Sequence, residues 1–401
     1  MQYSPVTSVL ISGAGIAGPA LAFWLLRHGL SPTLVERAPR PRRGGYIIDC
    51  WGVGYDIVEK MGLLPAVLAA GYQLREVRVV NSRGRRVSSM DAAVFRAATV
   101  GRYTSIPRGE LARILYESLD GRAEVIFGDS ISALEPADDG VCVHFEGERS
   151  RRFDLVVGAD GLHSAVRRLA WGAEQRYEKF LGYNVAAFSL LGYRPREEGV
   201  YVAYARPGRQ IARFALRGDR TMFLCVVADG SGEAIDAHDP RAIEDYLSRH
   251  FAGAGWECDA ILRQFATSDD PYLDRVSQIR MPQWSKGCIA LLGDAAYAPS
   301  LLAGQGAALA IIGAYVLAGE LARDDGVKRA LARYESELHS FMLKKQMAAQ
   351  GVAGSFAPKT RLGVILRNQM LRAFALPGVA QLVLRSNLLD RIQLRDYDRP
   401  G

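Results

Sequence analysis

The sequence predicts an α/β fold of the Rossmann-like type, on three consecutive observations. Val9-Leu10-Ile11 is a short apolar run that reads as a buried parallel strand. Gly13-Ala14-Gly15-Ile16-Ala17-Gly18 follows without a gap, and Ala17 to Arg27 is apolar almost throughout, as expected of a buried helix. Gly29 offers a left-handed stop, after which Pro32 to Val35 returns as a second strand ending at Glu36.

Each glycine has a physical task. Gly13 permits the tight turn, Gly15 lets backbone approach a pyrophosphate, and Gly18 lets helix and strand pack closely. The free amides of Ile16, Ala17 and their neighbours and the positive helix end then face phosphate. Glu36 stands where a carboxylate accepts ribose hydroxyls. The stretch specifies a dinucleotide and leaves NAD and FAD open.

Composition sets the limits. The chain has 401 residues, 49% of them hydrophobic and 23% charged, enough for one large core or two moderate ones. A net charge of +7, scattered along the chain, suits anionic ligands and argues against nucleic acid. Five cysteines without a CxxC pair indicate a reducing compartment, and with no export signal the expected location is the cytoplasm. The uncharged window Ala295 to Gly319 is broken by Pro299, Gly304 and Gly306, so it reads as a loop and buried helix rather than a membrane span. The six histidines lie far apart, with no HExxH, metal-spaced cluster or nucleophile elbow, so no metal is expected.

Three further stretches extend the pattern. Ile106-Pro107-Arg108-Gly109-Glu110-Leu111 places Arg108 at a helix start, and read alone Arg108 is a solvated surface residue. Phe153 to Gly161 is a strand running into a turn, where the plain reading of Asp160 is a cap for the helix bearing Val166 and Arg167. Cys288 to Leu292 is a buried strand ending in Gly293-Asp294, and Ala303-Gly304-Gln305-Gly306 opens an apolar helix running to Leu321. Asp294 thus ends a parallel strand, where ligands bind in open α/β sheets, and the small residues at 304–306 leave room for a flat ring against backbone.

Taken together, GAGIAG with its terminal glutamate, IPRGEL, GADGLHSAVR and GDAAYAPSLLAGQG resemble the single-component FAD-dependent aromatic monooxygenases. Within these, the chain looks closest to the tetracycline-modifying and quinolone- or polyketide-hydroxylating branch. The resemblance covers most of the chain. It implies a Rossmann-like FAD-binding domain with an inserted antiparallel β-sheet substrate domain and C-terminal helices. Non-covalent FAD would be held by Gly13, Gly15, Ile16, Ala17, Gly18, Glu36, Arg37, Arg108, Asp160, Asp294, Gly304, Gln305 and Gly306. The expected FAD-binding pieces are 1–72, 99–176 and 270–326, the substrate sheet 73–98 and 177–269, and the helical segment 327–401.

The implied reaction uses NADPH or NADH and O2 to hydroxylate an electron-rich aromatic or polycyclic small molecule through a flavin C4a-hydroperoxide. No side chain is assigned as catalytic, since the chemistry belongs to the flavin; Tyr297, Pro299, Gly304, Gln305 and Gly306 are the residues expected near the ring. Three departures from the family pattern occur there: Tyr297 replaces a histidine, the proline is displaced to Pro299, and Ile312-Gly313 replaces a Glu-Asp pair. A flavin reductase or dehydrogenase that transfers hydride without inserting oxygen is the alternative, with a ligand-sequestering flavoprotein and a nicotinamide dehydrogenase behind it.

Substrate contacts are expected from the inserted sheet and the adjoining loop, at Tyr46, Tyr183, Asn184, Phe188, Tyr204, Arg213, Phe214 and Phe223, with strand alternation turning about half of such residues away. His163, in the turn after Asp160, reads as structural. The basic C-terminal helices read as surface or interdomain elements, with peripheral membrane contact as the lesser reading. A monomer or homodimer is expected.

Overall fold

The computed structural model describes residues 7–41, 45–230, 235–237, 239–323, 325–374 and 392–397. The expected C-terminal segment is therefore described in part, with 375–391 and 398–401 outside the described residues.

A six-stranded sheet runs in the order Ser285–Lys286, Ile289–Leu291, Leu155–Gly158, Ser8–Ser12, Ser31–Glu36, Glu124–Phe127. All neighbours are parallel except the Ser285–Lys286 edge. Parallel strands need cover on both faces, and the continuous apolar runs Val9–Ile11, Leu155–Val157 and Ile289–Leu291 are buried accordingly. Helix Ala17–Arg27 packs on helix Gly306–Leu321, whose residues from Leu309 onward are all buried.

The chain winds outward from Ser8–Ser12 to Ser31–Glu36 and Glu124–Phe127. It then crosses back through a three-stranded antiparallel sheet, Ile131–Ala137, Gly140–Phe145 and Ser150–Phe153, to Leu155–Gly158 on the other side of the first strand. Strand order thus reverses between Ser8–Ser12 and Leu155–Gly158, and at such a point the loops diverge and leave a crevice. Gly13 and Asp160 sit at its mouth.

The second sheet has seven strands in the order Asp269–Ile279, Glu178–Leu191, Arg220–Ala228, Arg209–Ala215, Val200–Arg206, Glu76–Val80, Arg86–Asp91. Five of its six pairings are antiparallel. Val200–Arg206 beside Glu76–Val80 is parallel, where the two separate pieces of chain meet. Asp269–Ile279, just past the expected boundary at residue 269, forms the edge of this sheet.

Alternation gives the sheet two unlike faces. One packs Phe188, Phe223, Ile211 and Tyr204 against helices Pro240–Phe251 and Cys258–Gln264. The other packs Tyr183, Val185 and Val226 against Leu302 of the 301–303 turn and Ala353 and Ala357. Helix Arg361–Ala373 also lies on this second face, beside Arg86–Asp91 and Val200–Arg206.

Helix Val327–Ala349 packs along Gly306–Leu321, and residues 392–397 return to the same helix, placing the Tyr397 ring over Gly319. All five cysteines are free. Among the described residues no helix is long and apolar enough to cross a membrane.

Candidate active site

The first turn is built for close approach. Gly13 has φ +106°, and a Cβ there would stand 2.6 Å from the Ala159 carbonyl oxygen. A Cβ on Gly18 would lie 1.9 Å from the Gly13 carbonyl oxygen. Gly15 differs: its bare Cα faces open space bounded by the Arg108 guanidinium, 3.6 Å from where a Cβ would be. Ile16 and Ala17 lead into the helix and are buried. Glu36 accepts from the Ala14 amide at 2.9 Å with one oxygen and from Ala38 at 2.9 Å with the other. Each oxygen keeps a lone pair for a further donor. Arg37 beside it is exposed.

Arg108 begins helix Arg108–Glu117, and its amide donates to the Tyr46 carbonyl at 3.0 Å. Among the described residues its guanidinium has no hydrogen bond or ion pair. It stands close enough to Asp294 and Tyr46 to act on both electrostatically: burial pushes the Asp294 carboxyl upward and Arg108 opposes this, while burial raises the Tyr46 phenol to about 12. Asp294 lies at the end of Ile289–Leu291, and a Cβ on Gly306 would be 3.3 Å from its Oδ1. The third stretch meets the first directly, since Gly293 fits between Ala17 and Ala310, with a Cβ there 3.2 and 3.3 Å from theirs.

Asp160 caps the helix after it, accepting from Ala165 at 2.8 Å and Val166 at 3.1 Å through Oδ2. Among the described residues its Oδ1 is buried without a partner, and burial raises its carboxyl. Arg167, wholly buried, donates to the Leu162 carbonyl at 2.6 Å and the Ala295 carbonyl at 3.0 Å, tying this turn to the Asp294 stretch.

The loop expected to meet the ring is held from behind. Gln278 donates to the carbonyls of Pro299 at 2.7 Å and Gln346 at 2.6 Å, and Gln346 to those of Ile279 at 2.6 Å and Ala298 at 3.1 Å. Ser300 takes φ +139°, a conformation that favours glycine, and its hydroxyl is buried without a partner. Gly304 is left-handed at φ +66° and Gln305 precedes helix Gly306–Leu321. Tyr297 points into the core, its hydroxyl 3.3 Å from that of Tyr334 and its ring 4.6 Å from Trp284.

Sequence reading missed several neighbours because they come from distant strands. Asp49 has one oxygen accepting from Tyr103 at 2.8 Å and Ser105 at 2.7 Å, while its Oδ2 faces Gly304. Tyr272 lies 6.1 Å from the Tyr46 ring and donates to Asp274 at 2.9 Å. Asp274 also pairs with His163, which Glu174 holds from its other nitrogen at 2.8 Å. The apolar-strand and IPR patterns gave no signal for these pairings.

The expected substrate contacts divide between the faces of the second sheet. Tyr183 and Phe214 lie on the face towards the 301–303 turn, and Tyr46 lies beside Arg108. Asn184, Phe188, Tyr204, Arg213 and Phe223 have the opposite parity. Asn184 bonds the Tyr246 hydroxyl at 3.1 Å, Tyr204 the Ala254 carbonyl at 2.6 Å, and Arg213 pairs with Glu257 at 3.0 Å. Phe188 and Phe223 stack in the core at 5.2 Å. Those five are committed to the layer under Pro240–Phe251 and Cys258–Gln264.

A turn open at Gly15, an unpaired cation facing it, a carboxylate with free lone pairs at Glu36 and an orphaned buried oxygen at Asp160 suit an extended dinucleotide carrying phosphates and hydroxyls. Fold and site together define a dinucleotide-binding α/β protein. Residues 6–348 match the family model described as FAD binding domain, and the chain belongs to that family. It is 37% identical over 353 residues to an uncharacterized protein of Mycobacterium tuberculosis, covering 84% of this chain and 91% of that one. It is 34% identical over 351 residues to a flavin-dependent monooxygenase of an unknown prokaryotic organism, covering 87% and 90%. The crystal structure of tetracycline destructase Tet(51) superimposes with a TM-score of 0.83 at 30% identity, covering 98% of this chain and 100% of that one.

Proposed function

We propose that this protein is an FAD-dependent monooxygenase that takes electrons from NADPH or NADH and hydroxylates an electron-rich aromatic or polycyclic small molecule with O2. The observation that carries the reading is the meeting of Arg108, Asp294 and Gly15 at the strand-order reversal, with the apolar face of a separate sheet packed on the 301–303 turn. The relative named a flavin-dependent monooxygenase and the tetracycline destructase support it.

Bound FAD supplies the two-electron and oxygen chemistry. The protein's part is placement and shielding. In this reading, backbone at Gly13, Gly15, Ile16, Ala17 and Gly18 receives the pyrophosphate, with Arg108 as its counter-charge. Glu36 and Asp294 accept hydroxyls, the first next to Arg37 at the protein's edge and the second deep in the crevice. Asp160 would complete the floor, and Gly304, Gln305 and Gly306 would face the flavin ring. Phenols are protonated at neutral pH and burial raises those of Tyr46 and Tyr272 further, so both are available as hydrogen-bond donors. Tyr183 and Phe214 line the substrate side, and Leu301 and Leu302 help exclude water.

The test is oxidation of NADPH and of NADH under 18O2 with a panel of phenols, polyketides and tetracycline. The expected product gains one 18O atom. Nicotinamide oxidation accompanied by hydride transfer to substrate, with no oxygen gained, would establish the reductase instead.

A further inference from the structure

Among the described residues, the face of the second sheet that packs on the 301–303 turn holds two buried polar groups with no partner, and both can donate. The Tyr201 hydroxyl is excluded from solvent and makes no hydrogen bond. So is Nη2 of Arg367, which reaches this face from helix Arg361–Ala373. The rest of that guanidinium is fixed: Nη1 donates to Gln210 Oε1 at 2.9 Å and Nε to Asn368 Oδ1 at 3.0 Å. Among the described residues no carboxylate pairs with Arg367. Arg367 as a whole is half-buried, but its Nη2 is shielded from water, and an unsatisfied buried donor in a native fold calls for a partner.

Register places the pair relative to the ring loop. Gln210 stands opposite Val226, one strand away, or about 4.8 Å in the hydrogen-bonding direction. Val226 belongs to the cluster that includes Leu302 of the turn expected to meet the ring. Tyr201 is on the same face, opposite Phe214. Both donors therefore lie on the face that packs on the 301–303 turn, at the strands three and four removed from the Asp269–Ile279 edge that the turn touches, and they stand close enough to act on each other electrostatically. Lys359, 5.6 Å from the Tyr183 ring centroid, adds positive charge along the same face.

We propose that Arg367 and Tyr201, steadied by Gln210, form an anchor for an oxyanion on the substrate, so that the enzyme takes polycyclic molecules carrying an ionised enol, phenolate or carboxylate at the end remote from the flavin. This rests on the monooxygenase reading for the location of the substrate, and it adds a charge requirement that the reading alone does not contain. Arg367 positions the substrate; it moves no proton and takes no part in oxygen transfer.

Binding is measured on the oxidised, FAD-loaded protein without nicotinamide, by the change in flavin absorbance. The probes are 1-hydroxy-2-naphthoate and 1-naphthol, the same bicycle with and without a carboxylate. Wild type is expected to bind the naphthoate at least tenfold tighter. Arg367→Gln weakens the naphthoate about 10- to 100-fold, the range a hydrogen bond to a charged group supplies, and leaves naphthol unchanged. Arg367→Lys recovers part of the preference, and Tyr201→Phe loses a smaller share of it. Equal affinity for both probes, binding of neither, or a preference that survives in Arg367→Gln overturns the anchor. Because no turnover is involved, an anchor that passes in a protein transferring no oxygen to any substrate would leave the anchor standing and the monooxygenase reading refuted.

Discussion

The hydroxyl of Tyr297 occupies the space that a side chain on residue 313 would need: a Cβ on Gly313 would lie 2.0 Å from it. Two of the departures seen in the sequence, tyrosine at 297 and glycine at 313, are therefore one packing solution. Glycine inside a helix costs about 1 kcal/mol relative to alanine, yet the helix accepts it because the phenol fills the gap and reaches Tyr334.

Gly313→Ala is accordingly expected to destabilise by about 1–3 kcal/mol, the usual cost of overpacking, despite alanine's better helix propensity. In a Tyr297→Phe background the closest ring carbon stands 3.3 Å away and the nearest remaining atom is the end of the Leu292 side chain at 2.8 Å, which can shift, so the alanine should cost less. Denaturant unfolding of the two singles and the double gives the coupling. Additive single effects would show that the two positions are independent.

Gln346 and Gln278 hold the backbone of the loop at Ala298 and Pro299. Gln346→Leu keeps the bulk and removes the side-chain donor from the Ile279 carbonyl, while the Ala298 carbonyl keeps only the Ile279 amide at 3.3 Å, an expected loss of about 1–3 kcal/mol. Retention of FAD on gel filtration should fall with it, since Gly304 to Gly306 follow directly. Unchanged flavin content would mean the clamp does not shape the site.

His163 is raised from 6.5 to about 10 by its hydrogen bond to Asp274 first and to Glu174 second. A folded-state value above the unfolded one means that its stabilisation is fully present below about pH 6.5 and is lost as pH rises through about 10. The side chain is 58% exposed, so the effect is a screened one. The gap in melting temperature between wild type and His163→Gln should be widest at pH 6 and close near pH 10.5. A gap that widens with pH would contradict the assignment.

Ser300 holds φ +139°. Strain of this kind costs about 1–3 kcal/mol, and glycine relieves it. Ser300→Gly should therefore raise the melting temperature and Ser300→Ala should not. Equal behaviour of the two would assign any gain to loss of the orphaned hydroxyl.

The sequence foretold what is contiguous or periodic. Val9 to Glu36 reads as strand, turn, helix and strand because each residue's task is set by its immediate neighbours, and φ at Gly13 and the close approach at Gly18 follow directly. The inserted sheet was implied by the resemblance, whereas the crossover sheet from Ile131 to Phe153 was not, since its three short strands belong to none of the four motifs. Face assignment was the larger gap. Phe188 and Phe214 look alike locally, and only the arrival of Pro240–Phe251 on one face and Arg361–Ala373 on the other separates them. Asp49, Tyr272 and Gln346 reach the site through contacts between residues 48 or more positions apart, which no local pattern encodes.

The central claim is a single FAD held by stretches separated by nearly 300 residues, and it is tested by the pigment of the purified protein. Heat denaturation should release about one equivalent of FAD per chain into solution, and Arg108→Ala, folded by circular dichroism, should retain much less. A colourless wild-type protein that binds NAD in place of FAD would contradict the account.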